Sequence, residues 1–221
     1  MSASSTDPNL LKYCSVVQSA PIPLAYHTIL YKGKAAHETI EADFIQEGGI
    51  LNVNVLATHA GGDFNHAQLA LYWTEEEETA ELYRSWAMRR CPSSETWLIM
   101  IQVPNQFLQS LRKQQLWYSM DWKEYIWLCK RCMTPPTKFD ELWRRTDILR
   151  GHICTGVHLT RIKEEHLRDQ INEDLVLKVS GRKAMQCVFM QQESIQRMAD
   201  VKKGKVHIEI TGPTITLEKA I

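Results

Sequence analysis

The run Thr96 to Pro104, TWLIMIQVP, is the plainest buried strand in the chain, apolar almost without break. A strand of this kind folds only where other elements cover it, so the rest of the chain has to supply that cover. The means are present. In 221 residues, 44% are hydrophobic, and 7 Trp, 7 Tyr and 5 Phe provide large side chains for a core. With 26 basic against 26 acidic residues the chain carries no net field that would draw it to nucleic acid or to an anionic membrane. No apolar stretch approaches the roughly 20 residues that span a bilayer.

Around that strand the pattern alternates between strand and helix. Residues 1–20 are rich in Ser and Thr and weakly patterned, and read as a mobile arm, with order beginning near Pro21. LAYHTILY is a first strand, expected to end at Gly33. The spacing of Ala36, Ile40 and Phe44 predicts a helix that Gly48-Gly49 stops. ILNVNVLATHAGGDF reads as a strand and a glycine turn, and Leu69 to Trp73 as a short strand. Thr74 with Glu77 three residues later is a capping-box signature, and Glu75 to Glu78 with Arg89 and Arg90 suit the two ends of a helix dipole. From Asn105 to Arg145 the chain turns helical and Trp-rich. QCVFM at 186–190 and KVHIEI at 205–210 read as closing strands, with the helix QESIQRMADV between them. Elements that alternate without regular βαβ spacing point to an α+β fold, here one domain over 21–221 with a helical insert at about 105–146.

The start, MSASSTDPNLLKYC, lacks the basic and apolar segments of a secretory signal, so an intracellular protein, cytoplasmic or nuclear, is expected. The six cysteines are then read as reduced thiols. Cys129 and Cys132 form a lone CxxC, which suits two thiols on a helix as well as a metal, and no metal site is assigned. Cys154 beside His152 is a weak candidate for an activated thiol. No phosphate-binding loop, HExxH, GxSxG or GxGxxG is present. Trp117, Trp122, Trp127 and Trp143, interleaved with basic residues, suit packing onto a sheet or a stacking platform.

Five motifs in order carry a resemblance: Leu30-Tyr31-Lys32-Gly33, Asp63-Phe64, Leu71-Tyr72-Trp73-Thr74 leading to Trp86-Ala87, Asp147-Ile148 with Gly151, and Gln186 with Phe189. Over about Thr28 to Met198 the chain resembles the ADP-ribosyltransferase superfamily. It is most similar to the small domain that carries Leu-Tyr-His-Gly, Asp-Phe-Gly and Gly-Phe-Tyr-Leu-Thr segments. The resemblance implies a split sheet, two roughly perpendicular β-sheets around a cleft that binds NAD. It implies cleavage of NAD at the nicotinamide bond and passage of ADP-ribose to an unknown acceptor or to water. Tyr72 would lie under the nicotinamide and Gln186 on its ribose, as the catalytic pair. Lys32, with Gly33, Tyr31 and Thr74, would contact the cofactor, and His27 is the alternative to Lys32. Gln186 stands where the family favours a glutamate and offers no negative charge to an oxocarbenium ion. The alternative is therefore a fold kept as a nucleotide- or protein-binding module, or used for a different small-molecule reaction.

Overall fold

The computed structural model describes residues 14–36, 52–156, 158–201 and 206–213. The helix expected over 36–49 lies outside these residues save for its first position. In chain order the elements are β1 (Cys14–Val16), β2 (His27–Ala35), β3 (Leu71–Trp73), α1 (Glu77–Arg90), β4 (Thr96–Pro104) and α2 (Asn105–Ser110). They continue as β5 (Lys113–Leu116), α3 (Met120–Lys130), α4 (Asp140–Trp143), β6 (Ile148–His152) and α5 (Leu167–Gln170). The last are β7 (Lys178–Val179), β8 (Arg182–Lys183), β9 (Met185–Phe189), α6 (Gln192–Val201) and β10 (Val206–Thr211). The mixture is α+β. None of the helices among the described residues is long and apolar enough to cross a membrane. Where the sequence suggested one domain, the chain divides into two compact units: Met1–Leu56 with Thr74–Gln109 and Gln196–Ile221, and Ala57–Trp73 with Ser110–Ile195.

The first unit is built on a four-stranded sheet of order β1-β10-β4-β2. β4 is the TWLIMIQVP run, and it lies between β10 and β2, buried from Thr96 through Val103. β1 corrects the expectation of a wholly unstructured arm: Cys14 to Val16 pair in parallel with Val206 to Ile208, and Cys14 is buried. β2 also runs two residues past Gly33, to Ala35, pairing Gly33 with Leu98. Helix α1 packs on one face of this sheet, where Ile29, Ala80, Leu98 and Met100 form a small core. The capping box expected at Thr74 is displaced. Glu76 is the N-cap, without a side-chain cap bond, and the Thr74 hydroxyl instead accepts from the Glu76 N–H at 3.0 Å.

The second unit carries a sheet of order β3-β9-β6-β5 and the small ribbon β7-β8. ILNVNVL is not a strand in its described part: Val53–Leu56, which falls in the first unit, is a 3-10 turn. The strand expected at 69–73 is shorter, Leu71–Trp73. The Trp-rich stretch is not helical throughout, because β5 inserts between α2 and α3 and pairs in parallel with β6. Arg112 explains that strand's position. Its guanidinium and backbone N–H bind the Asp147 carboxylate at 2.9 Å each, clamping the start of β5 to the start of β6. Helix α3 is capped by Ser119, whose hydroxyl accepts from the Trp122 N–H, and it has Asp121 in its first turn and Lys130 in its last. It buries Trp122, Tyr125 and Ile126 against Phe64, Leu149 and Val188.

Candidate functional site

In the second unit β3 and β9 are antiparallel with Tyr72 opposite Val188, and β9 and β6 with Gln186 opposite Gly151. Directly opposed residues share a face and side chains two apart return to it. The two residues proposed for catalysis, Tyr72 and Gln186, therefore stand on one face of this sheet, on neighbouring strands. The loop of residues 58–70 folds over that face and is held by side-chain bonds to its own backbone. Asn65 Nδ2 donates to the carbonyls of Thr58, His59 and Gln68 at 2.8–2.9 Å. The Tyr72 hydroxyl accepts from the Phe64 N–H at 2.8 Å and donates to Asn65 Oδ1 at 2.7 Å. Gly62 makes this possible, because a Cβ there would lie 2.5 Å from the Tyr72 hydroxyl oxygen. Burial, then the Asp63 charge, hold the phenol well above its ordinary pKa, so it stays a neutral donor and acceptor. Tyr72 as a whole is half-buried, packed against the core of this unit.

Asp63 is the centre of the arrangement. One carboxylate oxygen accepts from Gln186 Nε2 at 3.0 Å and from the Cys154 N–H at 2.8 Å, and the other lies 2.8 Å from Lys130 Nζ in the last turn of α3. The carboxylate is buried, with 7% of its side-chain surface exposed, and every short contact to it is a donor or a cation. Burial disfavours the Lys130 charge, but Asp63 outweighs it and the ammonium is held above its usual range. The thiols beside this pair respond in the opposite sense to activation: burial first, and the Asp63 charge second, push Cys154 up to about 12 and Cys129 higher still. Cys154 is thus a protonated thiol at neutral pH, which counts against a nucleophilic role. His152 gives it no base either, because its Nδ1 accepts from the Tyr118 N–H at 3.0 Å. Cys129 is buried in α3, while Cys132 is exposed beyond its end in the left-handed region, at φ 55°. Among the described residues, no three His, Cys, Asp or Glu side chains gather as a metal site would require.

The proposed cofactor contacts fall in the first unit. His27 and Lys32 are five residues apart on β2, so they occupy opposite faces of its sheet and are true alternatives. His27 Nδ1 is 2.8 Å from the Ala25 carbonyl, and Lys32 is half-buried opposite Ile99. Tyr31 and Thr74 exchange two backbone hydrogen bonds, at 2.8 and 3.1 Å. Burial and then Glu77 raise the Tyr31 phenol above its ordinary pKa. Gly33 has a different purpose from a ligand-facing turn. A Cβ at this position would overlap the Ala80 carbonyl of α1 and lie 2.5 Å from the Arg84 backbone nitrogen. The glycine lets the helix lie close on the strand.

Sequence reasoning missed the partners of Asp63. Lys130 was one of several basic residues in a Trp-rich helix, and Cys154 contributes through its backbone. The one available signal was a carboxylate next to two glycines, the single Asp, Glu, Lys or Arg between Ile50 and Thr74. The tryptophans are mostly structural. Trp122 and Trp127 are buried, their indole N–H groups donating to the His152 and Ile162 carbonyls at 3.0 and 2.8 Å, and only Trp117 is exposed, at 37%. Comparison of the chain with protein-family models, curated proteins and solved structures returns no match.

Proposed function

We propose that the protein is an ADP-ribosyltransferase-like binder of NAD or a related nucleotide, in which capture of the ligand dominates over its cleavage. The resemblance of the five ordered motifs supports the nucleotide. The observation that favours binding is the state of Gln186: its amide donates to a carboxylate that Lys130 already neutralises. An oxocarbenium ion needs uncompensated negative charge nearby, and a Gln–Asp–Lys set supplies little. Tyr72, half-buried and with its hydroxyl anchored, would offer a fixed aromatic surface to the nicotinamide.

A second reading, NAD cleavage with transfer of ADP-ribose to an acceptor or to water, is favoured by one fact. Asp63 places a carboxylate 3.0 Å from Gln186 Nε2, so a negative group lies one residue behind the neutral one. Calorimetric titration with NAD and with ADP-ribose, run beside an assay for nicotinamide release, separates the readings. Binding that weakens in Tyr72→Leu, with release at background, is the expected result. Release above background that disappears in Gln186→Ala would establish the transferase reading instead. Absence of binding to either nucleotide would overturn both and leave a protein-interaction role.

A further inference from the structure

In the first unit the segment before β2 makes a tight turn in which the His27 N–H donates to the Leu24 carbonyl at 3.1 Å. Tyr26, third in that turn, has φ 60°, a conformation that such turns normally give to glycine or asparagine. Tyr26 is 87% exposed and Ile22 88%. A strained turn that projects apolar side chains into water persists only if its backbone is held. One hold is the Leu24 N–H, which donates to Gln102 Oε1 on β4 at 2.7 Å.

That bond fixes a chain of donors and acceptors. A backbone N–H can only donate, so Gln102 must turn its oxygen to Leu24 and its Nε2 to the other side. There Gln102 Nε2 meets His207 Nε2 of β10 at 3.2 Å. An amide nitrogen only donates, so His207 Nε2 must be the unprotonated acceptor and Nδ1 must carry the proton. Nδ1 is buried without a hydrogen-bond partner among the described residues. Other titratable groups on this face are His27 and Tyr31 of β2, Glu209 of β10, and Glu77, Glu81 and Arg84 of α1. Arg84 is paired with both Glu81 and Glu209, at 2.7 and 2.9 Å, so these carboxylates are already engaged.

We infer that His207, Gln102 and Leu24 form a proton-operated latch, in which protonation of His207 reverses Gln102 and releases the turn that carries Ile22, Leu24 and Tyr26. A doubly protonated His207 presents a donor to the Gln102 amide. The amide rotates to offer its oxygen, and its nitrogen then faces the Leu24 N–H, donor against donor. Burial holds the imidazole below its ordinary pKa, which puts the release on the acid side of the usual histidine range.

Amide hydrogen exchange on the full chain, corrected for the intrinsic pH dependence of exchange, tests the latch. Between about pH 8 and about pH 5, protection at Leu24 and His27 is expected to fall about tenfold, the equivalent of one hydrogen bond, while β4 amides hold. In Gln102→Glu both carboxylate oxygens accept, so Leu24 should stay protected in acid. In His207→Gln the acid loss should vanish. Wild-type protection that does not change with pH, or an acid loss retained in either variant, would overturn the latch.

Discussion

Gly33 and Asp63 are single positions at which small changes meet backbone or buried charge. A methyl group at Gly33 would strike the backbone of α1 at Ala80 and Arg84, and backbone cannot swing aside as a flexible side chain can. Gly33→Ala is therefore expected to destabilise the protein by about 3 kcal/mol, read as a lowered urea midpoint with an unchanged slope. Around Asp63 the pKa directions share one sign. Lys130, Tyr72, Tyr125, Cys129 and Cys154 are all held above their ordinary values, so the folded state keeps protons that the unfolded chain would release. Their contribution is fully present below the unfolded pKa values and is lost as pH rises towards the folded ones. Stability should accordingly decline once the pH passes the ordinary thiol value of 9.0, and continue to decline past 10.5, the ordinary lysine value. Thermal melts across that range measure it, and a flat alkaline limb would contradict the assigned directions.

At the scale of elements, long apolar or strongly amphipathic runs were legible and short ones were not. TWLIMIQVP and QESIQRMADV form β4 and α6 with the boundaries that their patterns predict. KQQL had no such signature. Three of its four residues are exposed, and it is a strand because Arg112 and Asp147 clamp it beside β6. β1 is similar: three residues in a weakly patterned arm become a strand because β10 offers an open edge. Local signals also misplace a helix start when a neighbour competes. Thr74 could have capped α1, but its backbone pairs with Tyr31, and the helix begins beyond it, after Glu76. Helix α3 shows the signal working. Ser119 caps it, so Ser119→Ala should cost about 1 kcal/mol in chemical denaturation, and Ser119→Gly only a few tenths.

At the scale of the whole molecule, each unit is assembled from separated stretches of chain, three in the first and two in the second. β10, near the end of the sequence, lies between β1, near its beginning, and β4. Pairing at such sequence separation makes for slow folding, because loop closure precedes the contacts that reward it. It also makes the first sheet depend on a strand near the C-terminus. Truncation after Val201 removes β10 and leaves β2 and β4 as a two-stranded pair. Hydrogen exchange should then show β2 and β4 losing protection, while β6 and β9, whose partners remain, keep theirs.

The sequence by itself determined the class of structure, the central strand, the strongly patterned helices and the aromatic core, because each of these follows from local periodicity and burial. It also brought Tyr72 and Gln186 forward, and the sheet register sets them on one face. Only the tertiary structure decided what surrounds them. That Asp63 holds Gln186 and Lys130, that Gly33 serves a helix, and that His207 reads Gln102 all depend on residues brought together from distant parts of the chain. Spacing along a sequence carries no record of which donor will meet which acceptor. That pairing is fixed when strands and helices pack, since a buried polar group must find its partner wherever the fold puts one.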